Sequence, residues 1–290
     1  MSFFKIVTDS TADLPAEYLK ENDIFEFFLP ATIAGKTYHS QAELPSKTFY
    51  TMMRNGEKTS TSQVNPEEAK EGLLKLIDEG CKEILYIAFS SGLSGTYNSA
   101  RLAADEILET HKDVKLIVID TKAASLGEGL LVYYAVEMRK QGKSIDEVAA
   151  WVEEHKLNLV HVFTVDDLNH LYRGGRVSRS AALIGTVLNI KPVLHVDDEG
   201  HLIPLGKVRG RKKSLLELVN LMEKQVGSYA GKNDIFFVSH GDCPEDAEFV
   251  CEEVKKRFGI QSSVVNILGF TIGAHAGPGT VALFFLGDKR

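Results

Sequence analysis

Short apolar runs alternate with longer segments whose apolar residues recur at helical spacing. This is the pattern of strands and helices in turn. Residues 3–7, 24–29, 84–89 and 114–119 read as strands, with helices predicted over 14–19, 49–54, 66–78, 96–108, about 122–139 and 145–155. Gly35-Lys36 marks a hairpin turn between 32 and 38, and 58–63 reads as a hydroxyl-rich loop. Two helix starts are spelled out. Asn65 precedes Pro66 and Glu68, and Ser144 precedes Glu147, both at capping-box spacing. Strands alternating with helices imply right-handed crossovers and a mostly parallel sheet.

A second half begins near residue 160. Strands are predicted over 159–165, 235–238, 263–268 and 281–286, with a hairpin of 191–196 and 201–205. Helices are predicted over 166–171, 180–188, 214–225 and 245–258, and 273–279 reads as a tight glycine turn. The expectation is an α/β fold of two domains, 1–160 and 161–290, with mostly parallel sheets flanked by helices. The final strand is free to exchange between sheets.

The 290 residues, 44% hydrophobic and 25% charged, suit a soluble globular chain of one large or two medium domains. No apolar run approaches the roughly 18 residues of a membrane span, and no signal peptide is apparent. Cys81, Cys243 and Cys251 form no C-x-x-C pair, which argues against a disulfide framework or zinc site and suits the cytoplasm. The net charge of −7 is uneven: 1–160 carries 17 Lys/Arg against 25 Asp/Glu, and 161–290 carries 16 against 15. An acidic whole disfavours a broad nucleic-acid surface.

Candidate chemistry collects where strands end, since ligands of parallel α/β sheets sit outside the carboxyl ends of the strands. Polar turns at 8–11, 90–96 and 120–121 should meet at one rim. Ser90-Ser-Gly-Leu-Ser-Gly-Thr96 opens a helix, so its free N–H groups and the Ser94 and Thr96 hydroxyls suit an anion. The plainer reading makes Ser94 or Thr96 a helix cap, and Asp9 and Asp120 turn residues. A hydrolase triad of Ser94, His275 and Asp9 is the rival, but Gly92-Leu-Ser-Gly95 does not fit the G-x-S-x-G elbow. Neither a P-loop nor G-x-G-x-x-G is present, and the histidines suggest no metal set. The run 207–213, five basic residues in seven, fits a solvated face or an acidic partner.

Seven motifs in series resemble the DegV family: Ile6-Val-Thr-Asp-Ser-Thr-Ala-Asp-Leu14, Thr61-Ser-Gln63, Ser91-Gly-Leu-Ser-Gly-Thr-Tyr97, Leu171-Tyr-Arg-Gly-Gly-Arg176, Lys191-Pro192, Arg209-Gly-Arg-Lys-Lys213 and Gly273-Ala-His-Ala-Gly-Pro-Gly279. The resemblance implies a long-chain fatty acid in a tunnel between two α/β domains, and no cofactor. It implies the non-catalytic fatty-acid-binding subunit of a bacterial fatty acid kinase, whose separate catalytic subunit phosphorylates the carboxylate. Acyl phosphate would then feed phospholipid synthesis, with an acyltransferase and transient membrane contact as further expected partners. Carried over by motif, Thr61 and Ser94 hold the carboxylate. Ser62, Gly95, Thr96, His275 and Arg209 or Arg211 surround the head group, and Arg173 and Arg176 face the kinase. Val64 stands where the family often has proline, and Tyr-Arg precedes the glycines of 174–175 where a lysine is often found.

Overall fold

The computed structural model describes residues 4–178 and 189–290. The first half runs β1 (Lys5–Asp9), α1 (Ala16–Glu21), β2 (Ile24–Phe27), β3 (Ala31–Ile33), β4 (Lys36–Tyr38), α2 (Ser46–Arg54), β5 (Thr59–Thr61), α3 (Pro66–Asp78), β6 (Glu83–Ala88), α4 (Thr96–Thr110), β7 (Lys115–Asp120), α5 (Leu126–Lys140) and α6 (Ile145–His155). The second half runs β8 (Leu159–Thr164), α7 (Asn169–Arg173), β9 (Ile190–Val196), β10 (Leu202–Arg209), α8 (Arg211–Gln225), β11 (Ile235–His240), α9 (Pro244–Phe258), β12 (Ser262–Ile267), α10 (Phe270–Ala276) and β13 (Val281–Leu286). The helix expected over 180–188, and Arg179, lie outside the described residues.

The first sheet has the order β2-β1-β6-β7, and every pairing is parallel. One face packs on α3 and α4, where Leu73, Leu76, Ala100 and Ala104 meet Ile84 and Tyr86. The other face packs on α5, whose Leu130, Leu131 and Ala135 are wholly buried. Covering both faces explains why β6 reads as a continuous apolar run. Both expected capping boxes form. Asn65 Oδ1 accepts from Glu68 N–H at 3.0 Å while Glu68 accepts from Asn65 N–H at 2.9 Å, and Ser144 and Glu147 repeat the exchange.

The second sheet has the order β10-β9-β8-β13-β11-β12. Here the expected parallel arrangement gives way: only β11 with β12 pairs parallel, and the other pairings are antiparallel. The turn from β9 to β10 is too short for the crossover that parallel neighbours need. The closing strand β13 seats between β8 and β11, buried at every position. A strand buried on both faces shows the same apolar run in either direction, so its sense is not readable from the pattern. Helices α8 and α9 cover one face of this sheet. Helix α5 lies against the other, so it is shared by the two sheets, with Phe237 and Phe284 in the same core as Ile6 and Leu85.

Three segments differ from expectation. Residues 59–61 are not loop but β5, paired with β3 so that Thr61 opposes Ala31. Three hydroxyl residues carry no periodicity that separates a strand from a loop. Residues 273–276 are the last turn of α10, and the tight turn begins only at Gly277 (φ +84°) and Gly279 (φ +77°). Gly273 is helical because α10 packs closely on α2: a Cβ there would lie 2.4 Å from the Tyr50 hydroxyl. The basic run 207–213 divides between the end of β10 and the start of α8.

Candidate functional site

The three polar turns do meet. Asp9, at the end of β1, accepts from Phe89 N–H at 3.1 Å, and Asp120, at the end of β7, accepts from Ser91 N–H at 3.1 Å. Asp9 also accepts from Thr11 N–H, and Asp120 pairs with Lys122 at 2.9 Å. Both aspartates therefore tie loops together, as the plainer reading held. Burial pushes the Asp9 carboxyl up to about 6.

Above this rim lies a cavity of about 210 Å³ between the carboxyl ends of the parallel strands and the inner face of the second sheet. Its walls are mainly apolar: Leu29, Phe89 and Leu93 from the first half, and Phe163, Ala282 and Phe284 from β8 and β13. Ile272 and His275 enter from α10.

One part of the wall is polar. Thr61, Ser62, Gln63, Ser94, Gly95, Arg176 and His275 all line the cavity. The pairing of β5 with β3 fixes Thr61, and the neighbouring Thr59 hydroxyl donates to Ala274 O at 2.8 Å, which docks α10 beside it. Thr61 Oγ1 then lies 2.7 Å from His275 Nε2. Gly174 backs the imidazole so closely that a Cβ would stand 2.0 Å from Nδ1. Burial, with Arg176 nearby, pushes the His275 imidazole down to about 4, so it is neutral near pH 7. A neutral imidazole that donates from Nε2 to Thr61 leaves the Thr61 proton free for an anion. Ser94 Oγ sits 3.0 Å from Thr96 Oγ1 and accepts from Thr96 N–H at 3.3 Å while lining the cavity; the N-cap of α4 is Gly95, so neither Ser94 nor Thr96 is the cap. Thr96 itself is wholly buried and backs Ser94 from behind. At Gly95 a Cβ would meet the Gln63 amide at 2.2 Å, so only glycine lets that amide pack against the turn.

The arginines sort differently from the sequence expectation. Arg176 is not turned outward. Its Nε donates to Leu93 O at 3.1 Å, and its guanidinium lines the cavity, where burial lowers its pKa. Arg173 is exposed and lies 3.0 Å from His170 Nδ1. Arg209 is exposed on the edge strand β10 and does not line the cavity. Arg211 does not line it either: it is held by Asp246 at 2.8 Å and Asp166 at 3.5 Å. Arg209 closes β10 and Arg211 opens α8, so the two side chains have different surroundings.

The hydrolase arrangement does not form. His275 Nε2 is engaged by Thr61, Ser94 pairs with Thr96, and Asp9 bonds to Thr11, Phe89 and Tyr86 rather than to the imidazole. Among the described residues no cluster of His, Cys, Asp and Glu is arranged to hold a metal.

The fold and cavity define an α/β protein that encloses a mainly apolar space with a hydroxyl, imidazole and guanidinium group on one part of its wall. The DegV family model, described as "Uncharacterised protein, DegV family", matches residues 3–288, and the chain belongs to that family. It is 46% identical to a DegV domain-containing protein of Clostridium perfringens, covering 100% of this chain and 99% of that one. Among solved structures, a DegV family protein from Thermus thermophilus, described with its fatty acid binding, is 30% identical with a TM-score of 0.86, covering 98% and 99% of the two chains. A Thermotoga maritima protein whose structure is described as revealing fatty acid binding function is also 30% identical, with a TM-score of 0.84 over 99% and 100%.

Proposed function

We propose that this protein binds a long-chain fatty acid in the cavity and presents its carboxylate at Thr61, Ser94, His275 and Arg176. The observation that carries the reading is the Thr61–His275 pair, 2.7 Å apart, on the wall of a cavity that is otherwise mainly apolar. The fatty acid binding described for two DegV structures at 30% identity supports it. A hydrogen bond to a charged group is worth roughly 1.5–3 kcal/mol, and each buried methylene about 0.8 kcal/mol, so a long tail contributes on the order of 12 kcal/mol before ordering costs. The tail supplies most of the affinity and the head group sets the register.

The chain is on this reading a carrier whose chemistry is completed elsewhere. A separate kinase phosphorylates the presented carboxylate, and the acyl phosphate passes to an acyltransferase of phospholipid synthesis. Arg176 offsets the carboxylate charge inside the cavity, and the exposed Arg173 faces the partner. Delipidated protein incubated with saturated and unsaturated acids, then examined by native mass spectrometry, should take up roughly one acid per chain. Protein that stays empty with every acid ends the proposal. Addition of a fatty acid kinase and ATP to the loaded protein tests the second part, through acyl phosphate formation.

A further inference from the structure

A second polar group borders the cavity, away from Thr61 and His275. Ser125 Oγ donates to Asp13 Oδ2 at 2.6 Å and lies 3.0 Å from Ser239 Oγ. Both serines line the cavity, and both are buried, Ser125 at 4% exposure and Ser239 at 0%. A hydroxyl has a single proton to give. With Asp13 ionised, the Ser125 proton goes to Asp13 and that of Ser239 to Ser125; with Asp13 protonated, the carboxyl donates to Ser125 and Ser125 donates to Ser239. Either way the Ser239 hydroxyl keeps one hydrogen-bonding position, a lone pair or its proton, with no further partner among the described residues. Other polar side chains on the walls are already engaged. Thr271 donates to Leu29 O and Thr280 to Ala276 O, while His161 Nε2 accepts from Ala124 N–H. The register partner of Ser239 across the sheet is Ala282, whose methyl leaves room beside the hydroxyl.

The group is held firmly. Ser125 has φ +56° and ψ −148°, a conformation that side-chain-bearing residues keep only where their surroundings impose it. Asp13 Oδ1 accepts from Gly269 N–H at 2.8 Å, which anchors the group at the start of α10, whereas His275 sits at the end of that helix. At a rise of 1.5 Å per residue, Gly269 and His275 are about 9 Å apart. Thr61 and the Ser125–Ser239 group line the same cavity, so a ligand with its carboxylate at Thr61 can meet the serines part-way along its chain.

We propose that the cavity takes an oxygenated long-chain acid, with a mid-chain hydroxyl hydrogen-bonded to Ser239 Oγ. The inference rests on the fatty-acid reading above. A plain hydrocarbon chain leaves the remaining hydrogen-bonding position of Ser239 unused in an apolar wall. A chain hydroxyl placed there fills it as donor or acceptor and keeps a hydrogen bond of its own.

Calorimetric titration of delipidated protein with octadecanoic acid and with its 10-hydroxy and 18-hydroxy derivatives tests this. The two hydroxy acids carry the same group into the cavity, so their difference reports its position. The 10-hydroxy acid should bind about threefold to tenfold more tightly than the 18-hydroxy isomer, the range of one hydrogen bond. Ser239→Ala should erase that preference while the affinity for octadecanoic acid holds or rises, which also shows that the variant is folded. Equal binding of the two isomers, or a preference that survives Ser239→Ala, overturns the inference. Failure of octadecanoic acid itself to bind removes the fatty-acid reading, and this one with it.

Discussion

At the scale of single residues, the site depends on who donates to whom. Thr61 and Ser94 each offer one proton, and that of Thr61 stays free for a ligand in the His275 tautomer that carries its proton on Nε2. Thr61→Val and Ser94→Ala should each weaken carboxylate recognition by about 1–3 kcal/mol. Titration with a fatty acid and its methyl ester checks this: the variants should lose affinity for the acid and little for the ester. Asp13 gives a prediction of a different kind. Burial pushes its carboxyl up to about 7 from 3.8. Between those values the native state holds a proton that the unfolded state has released, so this group's contribution to stability falls as pH rises. Asparagine suits both the left-handed backbone of position 13 (φ 51°) and the two partners there. Asp13→Asn should therefore gain stability relative to wild type from pH 4 to 7, a difference measurable by thermal melts across that range.

At the scale of elements, α10 is the piece that assembles the polar wall. It has only seven residues; bonds from Thr59 to Ala274 O and from Thr271 to Leu29 O tie it to the first half of the chain, and Tyr50 holds Leu268 just before it. Behind it, α7 ends at Gly174, which leaves just enough space for the imidazole of His275. Gly174→Ala should displace that ring, and carboxylate binding should fall as it does in Thr61→Val, with little change in melting temperature. A loss of folding instead would assign Gly174 to the core. Helix α3 offers a contrast, because its start depends on neighbours in sequence. Asn65→Ala removes the acceptor for Glu68 N–H and should cost about 1 kcal/mol in chemical denaturation, with ligand affinity unaffected.

At the scale of the whole molecule, the cavity is walled by both sheets and by α10, so an acid bound there, as proposed, would couple the two halves. A ligand held at 100 times its dissociation constant adds about 2.7 kcal/mol of stability. Delipidation should lower the melting temperature, and added fatty acid should restore it; unchanged melting would place the acid outside the fold. Among the described residues no helix is long and apolar enough to cross a membrane. How much of this was written in the chain differs by level. The capping boxes at Asn65 and Ser144, the buried run of β6 and the hairpin turn at Gly35 follow from local chemistry, and sequence alone determines them. Seven short motifs in series also pointed to the family, whose model matches residues 3–288. Thr61 and Ser94 could be picked out from those motifs, but their meeting could not. Thr61 is placed by the pairing of β5 with β3, and His275 by a helix more than 200 residues further along the chain. The parallel arrangement expected of the second sheet failed at β13 for a related reason: a strand buried on both faces shows the same apolar run in either direction. Only the tertiary structure turned Arg176 into the cavity and left Arg209 on an edge, since charge and spacing are the same in either place. It alone brought Asp13, Ser125 and Ser239 into one hydrogen-bonded line. Each of these depends on contacts between distant segments, and a pattern of neighbours along the chain carries no record of them.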